Sequence, residues 1–300
     1  MPELPDLTVY LEALERRVLG TTLEHIRVAT PFVLRTTEPP LASFDGRTVR
    51  ALARIGKRLV FELDGERFLL IHLMIAGRLH WKPAGSPLPR RLGLAALDFP
   101  NGTLTLTEAS RKHRAGIWTA LGRDALRAHD PGGLEALEAD LATFAAAIRR
   151  ESHTVKRALT DPRIVSGIGN AYSDEILHAA RLSPLKLTAQ LSDLEIERLY
   201  NATRATLTRW TRLLRAETGD GFPEKVTAFR EGMAVHGRYR QPCPVCGSPV
   251  QRIRYAANEA NYCARCQTNG RVLADRSLSR LLREDWPRTL EEWEERMGRR

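Results

Sequence analysis

The spacing of apolar side chains changes along the chain, and each change predicts a different kind of structure. Between residues 5 and 18 the apolar side chains recur at near-helical spacing, which predicts an amphipathic helix that ends before Gly20. Across residues 22–121 they form short alternating or apolar runs, separated by turn residues that include the hairpin signal Asn101-Gly102. The predicted strands are residues 23–28, 48–52, 59–63, 68–73, 94–99, 104–106 and 117–121. We therefore expect an N-terminal helix on an antiparallel β-sandwich.

A second change follows the Pro-Gly-Gly sequence at residues 131–133, where the periodicity becomes helical and stays so to about Gly219. Ser192 and Glu195 have the spacing of a capping box, which predicts a long helix after them. The predicted fold class is α+β. The predicted domain ranges are 1–130 for the helix and β-sandwich, 131–232 for a helical domain, 233–270 for a cysteine-containing ribbon and 271–300 for a charged tail.

The composition of the chain shows an excess of basic over acidic residues. Lys and Arg number 46 against 36 Asp and Glu, giving a net charge of +10 and an isoelectric point near 9.9. Nucleic-acid-binding proteins often have such values, but so do many unrelated proteins, so charge alone is weak evidence. No apolar run approaches the length of a membrane span and the start does not resemble a signal peptide, so we expect no membrane association.

All four cysteines fall in one pattern, two Cys-x2-Cys pairs sixteen residues apart at Cys243, Cys246, Cys263 and Cys266. This spacing is typical of a tetrahedral zinc site rather than of free or disulfide-bonded cysteines. Because four protein ligands leave no coordination position for water, we predict one structural Zn²⁺ that takes no part in catalysis. Cysteines committed to a metal also indicate a reducing compartment, hence the cytoplasm.

The segment around these cysteines is basic. Residues 232–258 contain Arg238, Arg240, Arg252 and Arg254 and no Asp or Glu. Guanidinium groups on a zinc-held hairpin suit a phosphate backbone, which favours nucleic acid as the partner.

The chain begins Met-Pro-Glu-Leu-Pro-Asp, and Pro2 and Glu3 are the candidate chemical groups at this end. Removal of Met1 would leave Pro2 with a free secondary amine, whose pKa is about 8 without special tuning. Attack of that amine on a sugar C1′ would give a cationic iminium directly, with Glu3 beside it for proton transfer. Proline is also common in the first turn of a helix, so these residues alone leave a purely structural role open.

A glycine-containing turn lies within residues 159–177. Gly167 and Gly169 would allow a tight turn with exposed amides, Asn170 adds a side-chain donor, and a helix beginning near Tyr172 would point its positive end at the turn. The segment is therefore a candidate anion cradle. An ordinary packing joint between two helices is the alternative.

Several of these segments together resemble the formamidopyrimidine-DNA glycosylase and endonuclease VIII family of base-excision repair enzymes. The resemblance covers residues 1 to about 267 and rests on M-P-E-L-P at the start, R-I-G-K-R-L around Lys57, H-L-x-x-x-G from His72, G-I-G-N-x-Y-x-x-E, V-H-G-R from Val235 and the zinc ribbon. It implies an N-terminal helix on a β-sandwich, a helix-two-turn-helix domain and a zinc finger, which agrees with the outline above.

The resemblance also implies roles for individual residues. It implies that Pro2 forms a Schiff base at C1′, that Glu3 handles protons at the deoxyribose, and that Lys57 assists β-elimination and contacts phosphate. It makes Lys156 and Asn170 ligands of the phosphates that flank the lesion. Further candidate DNA contacts are His113, Arg114, Arg238 and Asn258.

The chain departs from the family pattern in the zinc hairpin. Where the family has an Arg that serves phosphate binding and δ-elimination, this chain has Asn258. An amide lacks the fixed charge and paired donors of a guanidinium, although Arg252 or Arg254 could substitute for it.

Other departures fall in the segments that fill the DNA stack. Met74-Ile75 stands where the family has its void-filling Met, with Ile75, or Met74 in a shifted register, at the matching position. Ala115 replaces the intercalating Phe, and His113 replaces an Arg that faces the estranged base. We expect His113, Arg114 and Met74 to be the replacement fillers. The family's His before the Asn-Gly hairpin is also missing, and Asp6 replaces an expected Glu.

These observations predict a DNA glycosylase with abasic-site lyase activity, acting on damaged or abasic DNA as a monomer at the nucleoid. The alternative is a non-catalytic protein that binds damaged DNA on the same scaffold. RNA binding through the zinc ribbon is a third hypothesis, for which the sequence offers nothing specific.

Overall fold

The structure is a computed structural model, and it describes residues 1–110, 114–224, 226–255, 258–274 and 287–298. The chain forms two compact units. The first contains Met1–Gly133 and Arg209–Ala228, and the second contains Leu134–Thr208 and Phe229–Arg300. The four domain ranges predicted from the sequence stay predictions, because these units divide the chain differently, after Gly133 and within a long helix.

The first unit begins with helix α1, Leu4–Val18. Its buried face, which includes Leu7 and Leu14, follows the predicted helical spacing. The helix ends before Gly20, which has a φ of +76° and so takes a backbone conformation that other residues adopt at a cost. The predicted N-terminal helix is confirmed.

Antiparallel strands make up most of the rest of this unit. They are β1 Thr22–Leu23, β2 His25–Val28, β3 Arg47–Ile55, β4 Arg58–Leu63, β5 Arg67–His72, β6 Gly77–Lys82, β7 Gly93–Phe99, β8 Gly102–Glu108 and β9 Gly116–Leu121, followed by the short helix α2 Arg123–Arg127. One sheet has the order β1-β3-β4-β5-β9 and the other the order β2-β7-β8-β6. Their inward side chains and α1 share one hydrophobic core, so the predicted sandwich is confirmed.

Two details of the sheets differ from the sequence prediction. The hairpin between β7 and β8 pairs Phe99 with Gly102, so its two-residue loop is Pro100-Asn101, one residue before the expected Asn101-Gly102. Strand β6 was not predicted. Only Gly77 and Leu79 are buried along it, and its His, Trp and Lys side chains are partly or fully exposed, so it lacks the apolar run that marks the other strands.

The second unit contains several helices and a two-stranded antiparallel ribbon, which is followed by a last helix. Its elements are α3 Leu141–Arg149, α4 Val155–Thr160, α5 Asn170–Ala179, α6 Asp193–Thr218, β10 Val250–Tyr255, β11 Asn258–Cys263, α7 Ala264–Thr268 and α8 Leu290–Gly298. The predicted capping box opens α6, because the Ser192 amide donates to Glu195 at 2.9 Å and the Glu195 amide donates to Ser192 Oγ at 3.3 Å. Helix α6 runs past Thr208 into residues of the first unit.

The described part of the tail packs onto the ribbon. Leu290 is buried in a cluster with Ile253, Ala260 and Tyr262, and the Val272 amide donates to the Arg288 carbonyl at 2.9 Å. The ribbon core therefore extends beyond the last cysteine. Among the helices in the described ranges, none has the length and apolar character needed to cross a membrane.

Candidate functional site

The start of the chain is folded against the sandwich. Pro2 is buried and Glu3, the N-cap residue of α1, is 3% exposed. Glu3 and Asp6 form a capping box, in which the Glu3 amide donates to Asp6 Oδ2 at 2.9 Å and the Glu3 carboxylate accepts from the Asp6 amide. Asp6 therefore has a structural role at the start of α1, since its carboxylate reaches back to the N-cap amide.

Two amines lie within electrostatic range of Glu3. Lys57 follows Gly56 in the turn between β3 and β4, and burial lowers the pKa of its ammonium while the Glu3 carboxylate raises it by a smaller amount. Burial also lowers the pKa of the terminal amine, which in this chain belongs to Met1 and which interacts with Glu3, Arg78 and Lys57. The structure thus brings the start of the chain, Glu3 and Lys57 into one partly desolvated cluster of charges.

His72, for which the sequence analysis proposed no role, belongs to the same cluster. Burial, followed by the positive charges of Arg58, Lys57 and the terminal amine, lowers the pKa of His72 to about 4. Its Nδ1 accepts the Met74 amide at 3.1 Å, which leaves Nε2 as the protonated nitrogen. A neutral imidazole adds no positive charge to the cluster. The H-L-x-x-x-G motif was the signal that could have identified it.

The turn after His72 presents an apolar side chain to solvent. Ile75 is 63% exposed, whereas Met74 is half-buried with a φ of +50°. The turn closes through a 2.8 Å hydrogen bond from the Gly77 amide to the Leu73 carbonyl, and a Cβ at Gly77 would lie 2.3 Å from that oxygen. Glycine is therefore required there, and Ile75 is more exposed than Met74; which of the two fills a DNA stack stays a prediction.

The loop that carries the other candidate fillers is described only in part. His113 lies outside the described residues. Arg114 is exposed, and its carbonyl accepts from Arg35 at 3.2 Å. Ala115 is buried, and its amide donates to the Glu108 carboxylate at 2.9 Å, so it anchors the loop instead of projecting from it.

In the second unit, the glycine turn leads into α5. Gly167 has a φ of +78°, Gly169 is the N-cap, and the helix begins at Asn170, two residues before the predicted start at Tyr172. The prediction of exposed amides is wrong, because residues 167–169 are buried. Asn170 is half-buried, and it is the part of this turn left accessible to a phosphate.

Lys156 projects from α4 onto the same helix. Its ammonium donates to the Asn170 carbonyl at 3.2 Å, to Ser173 Oγ at 3.0 Å and to Asp174. An ammonium has three N–H groups, so these contacts engage all of them. That Lys156 binds phosphate stays a prediction, and the geometry adds a competing role, the positioning of α5.

Asp174 and Glu175 are buried next to each other on α5, and the sequence analysis gave neither a role. Asp174 Oδ2 accepts from His236 Nδ1 at 2.8 Å and from Asn261 Nδ2 at 3.3 Å. Glu175 accepts three backbone amides, those of Ala234, Val235 and His236, at 2.7–2.9 Å. These donors take the place of water around both buried carboxylates.

The arginines of the ribbon differ in exposure and in their position along the hairpin. Arg238 is half-buried and donates to the Met233 and Pro242 carbonyls at 3.1 and 3.2 Å. Arg252 lies 4.3 Å from the centre of the Tyr239 ring and 3.6 Å from Glu259. Arg254 is exposed, nearer the hairpin tip where Asn258 pairs with Tyr255. Of the two arginines that could replace the family's Arg, Arg254 is therefore the better placed.

The four cysteines meet at one point. Their sulfur atoms lie within 4.8 Å of one another, with Cys243 Sγ 3.9 Å from Cys266 Sγ and Cys246 Sγ 3.4 Å from Cys263 Sγ. Tetrahedral coordination with Zn–S bonds of about 2.3 Å separates the sulfurs by about 3.8 Å. The cysteines are thus positioned to bind one zinc ion, as predicted.

Comparisons with known families agree with this geometry. The model of the formamidopyrimidine-DNA glycosylase N-terminal domain matches residues 1–131, and that of the formamidopyrimidine-DNA glycosylase H2TH domain matches residues 129–216. The model of the zinc finger found in FPG and IleRS matches residues 240–269.

Individual proteins are similar over most or half of the chain. The formamidopyrimidine-DNA glycosylase of Heliobacterium modesticaldum is 32% identical over 281 residues, covering 89% of this chain and 100% of its own. An uncharacterized formamidopyrimidine-DNA glycosylase-like protein of Mycobacterium tuberculosis is 39% identical over 151 residues, covering 50% of this chain and 94% of its own. The crystal structure of the LlFpg protein with a THF-DNA and an inhibitor has a TM-score of 0.78 at 25% identity, covering 89% of this chain and 100% of that one.

For the metal site we expect one zinc per chain in freshly purified protein, measured by atomic absorption. Cys246→Ser should lose the zinc, because three thiolates bind it less tightly than four. Val245→Ser changes the exposed neighbouring residue of the same turn and should keep the zinc. Less than half an equivalent of zinc in the wild-type protein would contradict the assignment.

Proposed function

Since this chain belongs to the formamidopyrimidine-DNA glycosylase family, we propose that it couples base removal from damaged DNA to cleavage of the resulting abasic site through the amine of Pro2. The observation that carries the proposal is the partly desolvated cluster formed by the start of the chain, Glu3 and Lys57. A substrate of this kind would place the protein at the nucleoid.

The first step requires a neutral nucleophile. After loss of Met1, the nitrogen of Pro2 attacks C1′ of the deoxyribose, and the bond from C1′ to the base breaks with its electron pair leaving on the base. The bonded nitrogen then gives up its proton, and its lone pair forms the C=N bond of the iminium as the C1′–O4′ bond breaks and O4′ takes up a proton; we assign these proton transfers to Glu3. Burial at the start of the chain lowers the pKa of a terminal amine and so favours the neutral form that attacks.

The second step is β-elimination. A base removes a proton from C2′, the electrons move toward the iminium, and the C3′–O bond breaks to release the strand on the 3′ side. We assign this assistance to Lys57, because its lowered pKa leaves more of its amine free to accept a proton. Glu3, the N-cap residue of α1, transfers protons at the deoxyribose.

Contacts to the DNA backbone come from several surfaces in this proposal. Asn170 is the phosphate ligand at the start of α5, where the positive end of the helix dipole adds to its amide. Arg114, Arg254 and Asn258 are further candidates on exposed loops and on the hairpin. His113 and Ile75 are the candidates for filling the space left by an extruded nucleotide.

The nucleophile can be identified by borohydride trapping. Wild-type protein mixed with abasic-site DNA and borohydride should give a covalent adduct, which should disappear in Pro2→Gly and in protein that retains Met1. Persistence of the adduct in both would assign the Schiff base to another amine such as Lys57. Absence of an adduct from the processed wild-type protein would favour the non-catalytic DNA-binding alternative.

The roles of Asn170 and Lys156 can be distinguished by measuring the DNA affinity and the unfolding free energy of each variant. Asn170→Ala should weaken binding to lesion and undamaged DNA alike with little change in stability, because phosphate contacts carry no sequence information. Lys156→Ala should lower the free energy of unfolding by about 3 kcal/mol, because it removes a partner from the buried Asp174. If Lys156→Ala is as stable as wild type, and only the salt dependence of its DNA affinity falls, by about one phosphate contact, then Lys156 is a direct phosphate ligand. That result would contradict the positioning role.

The hairpin should determine how far strand cleavage proceeds. A second elimination expels the 5′-linked phosphate, whose growing charge needs cationic help that the Asn258 amide does not supply. On a 5′-labelled abasic duplex we expect mainly the unsaturated aldehyde end and little 3′-phosphate, with more 3′-phosphate in Asn258→Arg.

Two variants control for added and removed charge. Gln241→Arg adds the same charge at an exposed site of the ribbon and should leave the products unchanged. If wild-type protein gives mainly 3′-phosphate and Arg254→Gln abolishes it, then Arg254 replaces the family's Arg and the argument from Asn258 is wrong.

A further inference from the structure

His178 lies on α5, one turn after Asp174, and is 6% exposed. Its Nε2 is 3.3 Å from the sulfur of Cys243, which is itself 2% exposed. A cysteine bound to zinc is a thiolate, which has lone pairs to accept a hydrogen bond and no proton to donate. The imidazole must therefore carry its proton on Nε2 and donate it to the sulfur.

We propose that His178 is a positioning residue of the zinc site, whose N–H hydrogen bond to the Cys243 thiolate ties the metal to helix α5. The proposal concerns the zinc site alone and does not depend on the glycosylase or lyase chemistry. Four thiolates around Zn²⁺ leave the site with a net charge of −2, and an N–H donor stabilises part of that charge in a place that water does not reach.

The backbone around Cys243 is already held without His178. The Cys243 amide donates to the Ser248 carbonyl and the Gly247 amide donates to the Cys243 carbonyl, each at 2.9 Å. These bonds shape the turn but leave the sulfur free to rotate about χ1. Besides the neighbouring Cys266 sulfur at 3.9 Å, His178 contacts the Cys243 sulfur itself, and its N–H favours one direction from which this ligand meets the metal.

The second cysteine pair has a parallel connection. Gln267 accepts the Cys263 amide at 2.8 Å and donates through Nε2 to the Leu182 carbonyl at 2.8 Å, just beyond the end of α5. Each Cys-x2-Cys pair is thus joined to the C-terminal end of α5 by one buried polar side chain. Binding of zinc should consequently order α5 as well as the ribbon.

The hydrogen bond can be observed directly in wild-type protein loaded with ¹¹³Cd in place of zinc. A proton on His178 Nε2 that is hydrogen-bonded to a metal-bound sulfur should show a scalar coupling to the ¹¹³Cd nucleus. A His178 ring proton that is assigned and shows no such coupling would overturn the proposal.

Variants test the energetic consequence. His178→Phe keeps a ring but removes the donor, and should release zinc to a chromophoric chelator faster, by about 10- to 100-fold. His178→Gln retains an N–H donor and should restore slow release at least in part. His153→Phe, at the half-buried histidine paired with Glu151, is the matched control and should behave as wild type. Equal zinc release by wild type and His178→Phe would contradict the proposal, and so would equally fast release by the Phe and Gln variants, because it would show that an N–H donor at this position does not retain the metal.

Discussion

The second unit depends on the pairing of two carboxylates buried side by side on α5. Asp174 is 1% exposed and Glu175 is 7% exposed, and a buried charge without partners would cost several kcal/mol. The partners come from distant parts of the sequence: Lys156 from α4, the backbone of residues 234–236, and Asn261 from β11. Helix and ribbon must therefore fold together, because neither can satisfy these charges alone.

The same helix connects two sites that the sequence presents as separate. At its start, the ammonium of Lys156 holds the Asn170 carbonyl and so fixes the backbone from which the candidate phosphate ligand projects. Near its end, His178 reaches the Cys243 sulfur. The predicted zinc site, although it has no open coordination position, is thereby linked to the candidate phosphate ligand through the nine residues of α5 from Asn170 to His178. A structural metal can in this way affect DNA binding without touching DNA.

The sequence was sufficient where the determining interactions are local. The periodicity of α1, the capping box of Ser192 and Glu195, and the spacing of the cysteines each lie within a few residues or in a fixed motif, and each was confirmed. It was insufficient where a residue's partner is far along the chain. Nothing near Asp174 shows that His236 will be its partner, and an aspartate within a helix is more often exposed. The amides of the glycine turn at residues 167–169 were wrongly predicted to be exposed for the same reason, since their exposure depends on what packs over the turn.

In the first unit, the candidate residues for chemistry and the candidate residues for contact with the base differ in burial. Desolvation at the start of the chain lowers the pKa of the Met1 amine, and the capping box of Glu3 and Asp6 fixes how this segment packs. Ile75, by contrast, sits on an exposed turn whose geometry depends on Gly77, so its side chain can change without disturbing that packing. A substitution at Ile75 should therefore cost little in folding free energy. A substitution in the capping box would act on the terminal amine, whichever lesion is bound.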